Sequence, residues 1–157
     1  MTYLGSTGES SAVLREGIAP LEMSPTTRTV ATLVAPGSLT GGQFGLFRWD
    51  MPGPGGGSPH FHRGFSESFY VVSGTVKLFN GSDWLEVSEG GFLFVPPGGV
   101  HGFQNDSGAP ASMLILFTPG VARERYFEEL AEIRHSGRVL SEQEWDELFA
   151  RHDQVNL

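Results

Sequence analysis

The stretch "HFHRGFSESFYVVSGTV" (60–76) contains two histidines that are two residues apart and a glutamate five residues after the second. Residues i and i+2 of a β-strand face the same side, so a strand here would direct the His60 and His62 imidazoles to one place. A short turn after His62 would bring Glu67 beside them on the following strand. Two imidazole nitrogens and one carboxylate are the beginning of a transition-metal site. Taken alone, the stretch also fits a surface histidine pair with a solvated glutamate.

A second stretch, "GGFLFVPPGGVHGFQN" (90–105), supplies another histidine after a strong turn signal. Its four apolar residues predict a strand. The Pro-Pro-Gly-Gly run at 96–99 must turn the chain sharply, because proline fixes φ and glycine accepts positive φ. That turn would deliver His101 at the start of a new strand. By itself His101 is compatible with an ordinary loop, but together with the first stretch it is predicted to be the fourth ligand.

These two stretches resemble the two sequence motifs of the cupin superfamily. Four residues match the first motif, G-x5-H-x-H-x3–4-E-x6-G: His60, His62, Glu67 and Gly74. Five residues match the second motif, G-x5-P-x-G-x2-H-x3-N: Gly90, Pro96, Gly98, His101 and Asn105. Pro54 stands where the first motif has its leading glycine, but glycines flank it on both sides, so the turn can shift by one residue without moving a ligand. The resemblance implies an all-β fold, the double-stranded β-helix or jelly-roll barrel, with a metal inside.

Short runs rich in β-branched and aromatic residues predict strands at 28–34, 42–49, 67–72, 75–79, 83–87, 92–95 and 112–117. Asn80-Gly81, between two of these runs, is a strong β-hairpin signal. Short strands separated by glycine and proline turns favour an all-β sandwich or barrel over βαβ units. We therefore predict three segments: an N-terminal arm at 1–27, a cupin β-barrel at 28–118 and a C-terminal helical extension at 119–157.

The predicted extension contains two amphipathic α-helices. The first, at 121–134, carries apolar residues at helical spacing: Tyr126, Phe127, Leu130 and Ile133. The second, at 141–152, opens with Ser141 and has Glu144 three residues later, which predicts a capping box. Its apolar residues are Trp145, Leu148 and Phe149. We expect both stripes to pack on the outside of the barrel or against a partner subunit, and the resemblance to cupins implies a homodimer.

Composition excludes several classes of function. The chain has 157 residues, a formal net charge of −8 and a single lysine, so nucleic acids and anionic membrane surfaces are not expected partners. It has no cysteine, which excludes disulfides, thiolate catalysis and cysteine-rich zinc sites. No run is long enough to span a bilayer, and the N-terminus does not have the pattern of a signal peptide. We therefore expect the protein in the cytoplasm.

The predicted ligand set, three imidazoles and one carboxylate, favours one divalent transition metal per chain: Fe, Mn, Ni, Co, Cu or Zn. A closed structural zinc site is less compatible, because such sites usually contain cysteine. Phe69 and Phe103 lie two residues after predicted ligands and are candidate walls of a substrate pocket, although core residues would follow the same pattern. Arg48, the only basic residue in a strand that looks buried, is either a candidate for binding an anionic group or an outward-facing residue.

A single barrel with C-terminal helices is similar to the bacterial quercetin dioxygenase-like cupins. That resemblance implies a metal-dependent dioxygenase in which O2 cleaves a small aromatic or enolic substrate. Glu67 would be the catalytic residue and accept the proton of the substrate hydroxyl. The same fold and ligands also serve cyclases, isomerases and decarboxylases, so a metal-dependent cyclase or isomerase of secondary metabolism is the alternative. A non-enzymatic cupin that binds a small molecule is the third hypothesis.

Overall fold

The computed structural model describes residues 12–157, and this part of the chain forms two antiparallel sheets and two helices. In chain order the elements are β1 (Leu21–Glu22), β2 (Val30–Ala35), β3 (Gly45–Met51), β4 (Gly55–Phe61), β5 (Ser66–Ser73), β6 (Thr75–Phe79), β7 (Trp84–Ser88), β8 (Phe92–Val95), β9 (His101–Asn105), β10 (Ala111–Thr118), α1 (Arg123–Ser136), α2 (Glu142–Arg151) and β11 (Val155–Asn156). The predicted all-β fold with C-terminal helices is confirmed.

The two sheets face each other around an apolar interior. One has six strands in the order β1-β2-β3-β10-β5-β8, and the other has five in the order β11-β4-β9-β6-β7. Strand β3 shows the expected alternation, because Phe47, Trp49 and Met51 are buried while the residues between them are partly exposed. Trp49 of the first sheet meets Phe103 of the second with ring centroids 5.7 Å apart. The jelly-roll core therefore lies between the sheets.

The predicted strands are all present, with ends that shift by a few residues. The Asn80-Gly81 hairpin is also present, but its loop has four residues, because Phe79 of β6 pairs with Trp84 of β7. The Asn80 side-chain oxygen accepts hydrogen bonds from the backbone N–H groups of Ser82 and Asp83, at 2.9 and 2.8 Å. An Asx turn thus closes the hairpin in place of a two-residue turn.

Strand β4 begins in the glycine-rich run that precedes His60. Gly56 has a φ of 150°, and a Cβ atom there would lie 2.2 Å from the Phe103 carbonyl oxygen. Only glycine allows β9 to approach β4 this closely. The pairing between these strands is irregular from Gly57 to His60, and Pro59, which has no N–H to donate, lies within that interval.

Helix α1 packs against the barrel core. Its buried apolar residues are Tyr126, Phe127, Leu130, Ala131 and Ile133. The Phe127 ring lies 5.5 Å from Phe47 and 5.2 Å from Trp49, measured between centroids. The apolar stripe of α1 is therefore covered by this chain itself.

Helix α2 begins with the predicted capping box. The Ser141 hydroxyl accepts from the Glu144 N–H at 3.2 Å, and the Glu144 carboxylate accepts from the Ser141 N–H at 2.8 Å. Leu148 is buried, whereas Trp145 and Phe149 are partly buried and stack on each other. No helix within residues 12–157 is long and apolar enough to cross a membrane.

The predicted N-terminal arm at 1–27 includes an element of the sheet. Strand β1 pairs with β2, with Leu21 opposite Ala31. Strand β11 at the other end of the chain was not predicted, since two residues carry no periodicity. Residues 1–11 of the predicted arm lie outside the described residues.

Candidate metal centre

Four buried side chains converge between the two sheets. His60 lies near the end of β4, His62 follows that strand, His101 begins β9, and Glu67 is the second residue of β5. Their ligand atoms all lie within 4.8 Å of one another. His60 and His101 are paired across β4 and β9, whereas Glu67 reaches them from the opposite sheet. The structure therefore brings together all four residues that the sequence predicts as ligands.

Each histidine of the cluster is held by a hydrogen bond from its Nδ1 atom to a backbone carbonyl oxygen. The distances are 2.8 Å from His60 to Ser58, 2.9 Å from His101 to Gly99 and 2.7 Å from His62 to Asp153. A carbonyl oxygen can only accept, so each Nδ1 carries a hydrogen and donates it. In the neutral imidazole, Nε2 is then the atom with a free lone pair, and its direction is fixed.

The Nε2 atoms of two histidines face the glutamate. Glu67 Oε2 lies 3.0 Å from His62 Nε2 and 2.9 Å from His101 Nε2. Because the hydrogens of the neutral rings are on Nδ1, lone pairs face lone pairs here unless a proton or a metal ion lies between them. Imidazole nitrogens with a carboxylate oxygen suit a divalent transition metal. The residues present therefore fit a metal ion.

Burial and mutual contact set the protonation of the cluster. Burial lowers the pKa of His60 to about 4, so this imidazole is neutral at pH 7. Burial alone would raise the pKa of Glu67, but hydrogen bonds from His101 and His62 hold it well below its usual range. For His101, burial acts to lower the pKa, and the hydrogen bond to Glu67 outweighs it, so the pKa is raised. A metal that binds here therefore displaces a proton.

The end of the chain holds the turn between the ligand-bearing strands β4 and β5. The Asp153 carboxylate accepts from the backbone N–H groups of Arg63, at 3.0 Å, and Gly64, at 2.7 Å. The Asp153 carbonyl oxygen is also the acceptor for His62 Nδ1. Strand β11 then pairs with β4. This segment fixes both the turn after His62 and the orientation of its imidazole.

A cavity of about 300 Å³ lies beside the cluster. His60 forms part of its wall, and glycines 55–57 form a part without side chains. Its aromatic lining comes from both sheets and from α1: Trp49, Phe103, Tyr126 and Phe127. Its volume and its mixed aromatic and polar lining suit a small organic molecule beside the candidate metal.

The three predicted pocket residues have different positions. Phe103 lines the cavity. Phe69 is fully buried, with its ring centroid 5.9 Å from His101 and 6.0 Å from Phe103, so it packs behind these side chains. Arg48 is not brought to the cavity. It lies on the side of β3 opposite the buried residues, its side chain is 44% exposed, and it pairs with Asp50 at 3.1 Å.

The sequence interpretation missed the polar groups that the C-terminal segment contributes to this region, above all Arg123 and Gln154, which line the cavity. Arg123 is buried, and it precedes Tyr126, Phe127 and Leu130 by three, four and seven residues. Helical periodicity therefore places Arg123 on the apolar stripe of α1, and a charged residue on such a stripe was the available signal.

Comparison with known proteins agrees with the fold. Residues 47–117 match the model of a cupin domain. Quercetin 2,3-dioxygenase of Bacillus subtilis (strain 168) is 28% identical over 100 residues, which are 64% of this chain and 29% of that protein. The chain therefore matches less than a third of this relative.

Solved structures resemble a large part of this chain in fold. A predicted oxalate decarboxylase from Thermotoga maritima has a TM-score of 0.61 at 17% identity, covering 69% of this chain and 99% of the other. The polyketide cyclase RemF from Streptomyces resistomycificus has a TM-score of 0.52 at 23% identity, covering 75% of this chain and 79% of the other. At these identities the likeness supports the fold alone.

Proposed function

The chain belongs to the cupin superfamily through the domain at residues 47–117, and from this premise we propose that it is a metal-dependent dioxygenase acting on a small aromatic or enolic substrate. The observation that carries the proposal is the buried cluster of three histidines and one glutamate beside a cavity with aromatic walls. The partial match to a quercetin 2,3-dioxygenase supports the same reaction class. Carried over to this chain, the reaction is oxygen-dependent cleavage of an enol or phenol.

The proposed cofactor is one divalent transition metal per chain, held by His60, His62, Glu67 and His101. When bound, such an ion supplies Lewis acidity and open coordination positions for small ligands. The histidines serve as neutral ligands because their Nδ1 hydrogens are engaged by backbone carbonyls. The buried walls around them exclude water from the reacting centre.

Glu67 is the proposed base. A substrate hydroxyl in the cavity that reaches the cluster lies near the Glu67 carboxylate, which can accept its proton and leave an electron-rich enolate or phenolate. Without a metal, hydrogen bonds from His101 and His62 hold the pKa of Glu67 low. In the metal-bound protein those nitrogens would be ligands, and the positive charge of the ion would keep the carboxylate ionised before the transfer. A carboxylate with a low pKa is a weak base. The proton transfer to Glu67 therefore requires positive charge near the substrate anion that it forms.

Oxygen consumption tests the proposal. Protein loaded separately with Fe²⁺, Mn²⁺, Ni²⁺ or Co²⁺ is mixed with a panel of flavonols, hydroxybenzoates and acyclic enols in an oxygen electrode. We expect substrate-dependent O2 uptake that the metal-free protein lacks. Turnover that proceeds equally well without O2 would favour the cyclase or isomerase alternative instead. Tight binding with no turnover of any compound would favour a non-enzymatic binding protein.

We also propose that the chain forms a homodimer through strand β8. This strand ends the six-stranded sheet, and its Phe92 and Phe94 side chains are 62% and 57% exposed. Exposed aromatic residues on an edge strand favour association, and antiparallel pairing of β8 with its copy would be self-complementary. Light scattering should show a dimer for the wild type and a monomer for the Phe92→Ser, Phe94→Ser double variant. Leu85→Ser, at another exposed apolar residue, is the control.

The proposed location, the cytoplasm, rests on the sequence alone.

A further inference from the structure

Arg123 places a buried positive charge at the cavity. Its relative exposure is 3%, and it lines the same cavity as His60. Nη1 donates to the His152 carbonyl oxygen at 3.0 Å, and Nη2 donates to the Gln154 side-chain oxygen at 3.3 Å. The Nε–H group has no hydrogen-bond partner among residues 12–157, although it is buried. A buried donor without an acceptor is unfavourable, so the hydrogen bonds of this guanidinium group are incomplete.

Aromatic rings surround the guanidinium group. Its central carbon lies 4.1 Å from the ring centroid of Tyr126 and 5.3 Å from those of Phe65 and Phe127. Such contacts stabilise a cation and hold its plane. They do not provide the in-plane oxygen that a guanidinium fork binds. Its hydrogen-bond acceptors at His152 and Gln154 are neutral, and the Glu67 and Asp153 carboxylates act on its charge through space.

The charge around the cavity is unbalanced once a metal is present. The three histidines are neutral as ligands, and Glu67 offsets only one of the two charges of a divalent ion. Arg123 adds a further positive charge, which interacts with both Glu67 and His101 and is partly offset by the Asp153 carboxylate. Unpaired like charges in a buried region are costly, and an anion that lies between them relieves that cost.

We propose that Arg123 binds the carboxylate or enolate oxygen of an organic anion in the cavity, so that the substrates of this protein are aromatic or enolic acids. This inference deepens the proposed function and rests on it for the reaction that follows binding. It assigns to Arg123 the anion-binding role for which Arg48 was the candidate in the sequence. Arg123 is a binding residue here, and the anion that it holds places the rest of the substrate near the cluster.

The shape of the cavity agrees with a ligand of one or two rings. Trp49, Phe103 and Phe127 provide apolar walls. A Cβ atom added at Gly57 would meet nothing within 4 Å, so this part of the lining is open. Arg134 lines the cavity too, but it is exposed and donates to the Met23 carbonyl oxygen at 3.2 Å. Arg125, which is exposed on α1 and outside the cavity lining, is therefore the matched control, with the same charge in a solvated position.

Binding measurements with a pair of probes test the proposal without any turnover. Isothermal titration calorimetry compares 2-naphthoate with 2-naphthamide, which has the same shape and no charge, on metal-loaded and on metal-free wild-type protein. We expect naphthoate to bind at least tenfold more tightly than naphthamide to the loaded protein, and more tightly also to the metal-free protein. Equal affinities for the two probes, or no binding of either, would overturn the proposal.

Three variants assign the effect to Arg123. Arg123→Gln removes the charge and should abolish the preference for naphthoate, whereas Arg123→Lys retains charge without the fork and should keep part of it. Arg125→Gln should leave the preference within about twofold of wild type, as expected for an exposed, screened charge. An undiminished preference in a folded Arg123→Gln protein would overturn the assignment. If Arg123→Gln does not fold, the assignment is tested by Arg123→Lys, in which an undiminished preference for naphthoate over naphthamide would overturn it.

The outcome is separable from that of the proposed function. Failure of every acid and enol to consume O2, with a clear naphthoate preference, would reject the oxygenase and keep the anion site. Oxygen uptake with neutral enols, together with no preference for the anionic probe, would keep the oxygenase and reject the anion site.

Discussion

The barrel motifs and the C-terminal extension contribute to the same site in different ways. The four candidate ligands lie between His60 and His101, inside the segment that matches the cupin family. The groups that orient and charge the site, Asp153 and Arg123, lie beyond residue 117, outside that match. Ligand identity is thus fixed by short motifs on strands, whereas the surroundings depend on how a separate segment packs back onto the barrel. Both parts line the cavity, and the extension contributes the buried charge of Arg123.

Removing the extension should give the largest effect. Loss of α1 exposes Phe47 and Trp49, which Phe127 contacts. Each large apolar side chain contributes about 1.5–3 kcal/mol, and the total stability of a domain is about 5–15 kcal/mol. We predict that a chain truncated after Gly120 aggregates or melts far below wild type, as measured by differential scanning fluorimetry.

A point variant makes the same test more finely. Leu130→Ala, at a buried position of α1, should cost about 2–5 kcal/mol of unfolding free energy. Val139→Ala, at a position that is 95% exposed, is the control and should leave the free energy of unfolding unchanged.

For the truncation, a soluble chain with an unaltered melting temperature would mean that the extension does not support the barrel.

Glu67→Gln should separate ligand binding from catalysis inside the barrel. Glutamine keeps the size and a metal-binding oxygen but is a much weaker base. General-base loss typically costs about 10²–10⁴-fold in rate. We predict that this variant retains substantial metal and consumes O2 at least about a hundredfold more slowly, within that range. Near-wild-type turnover in metal-loaded Glu67→Gln would remove the glutamate from the mechanism.

Asp153→Gly tests the contribution of the extension to the metal centre itself. Glycine tolerates the positive φ of 51° at this position and retains the carbonyl that accepts from His62. It removes only the carboxylate that holds the backbone N–H groups of Arg63 and Gly64. Outer-sphere partners of metal ligands typically contribute about 10–100-fold in affinity.

This variant keeps the outer-sphere partner itself, the Asp153 carbonyl, so we expect metal to bind up to about tenfold more weakly than to wild type, below most of that range. Competition with a chelator of known affinity measures the change. Asp153→Asn, which keeps one acceptor oxygen, should be intermediate. Identical affinities in all three proteins would show that the turn holds its geometry without the extension.

The smallest effect is expected where the two helices contact each other. Glu129 of α1 accepts hydrogen bonds from Arg151 and from His152, the latter at 2.9 Å. The hydrogen bond from His152 lowers the pKa of Glu129. Its contribution to stability is therefore present above the unfolded-state pKa and lost as the pH falls through the lowered folded-state pKa.

Glu129→Gln should destabilise the protein by about 1 kcal/mol or less at pH 7, because such exposed pairs are screened by solvent. The difference from wild type should vanish as the solution becomes more acidic than the lowered pKa of Glu129. Thermal melts across pH check this, with Glu128→Gln, on the exposed side of α1, as the control. A difference that grows on acidification would contradict the sign of the predicted effect.

The ligands and the strands could be predicted because they depend on patterns among residues that are near each other in the sequence. Spacing of two residues on a strand, together with a turn rich in proline and glycine, was enough to group the four ligands. The same alternation places Arg48 opposite Phe47 and Trp49, so its outward position was readable from its neighbours. These features depend on residues that are close in sequence and on the fixed geometry of strands.

The contribution of the extension depends on long-range packing, which no local pattern encodes. The hydrogen bonds that the turn at 63–64 donates to the Asp153 carboxylate span about ninety residues. Strand β11 pairs with β4 through only two residues, too few for a periodic signal. Helical spacing places Arg123 on the apolar stripe of α1, but its position at the cavity depends on how α1 packs against the barrel.

Metal content tests the central claim most directly, namely that the barrel motifs alone supply the ligands. Inductively coupled plasma mass spectrometry would compare the wild type with His101→Ala and with His135→Ala, a histidine of α1 outside the cluster. The account predicts about one equivalent of divalent transition metal per chain in the wild type and in His135→Ala, and far less in His101→Ala. Full occupancy in a folded His101→Ala protein would contradict it.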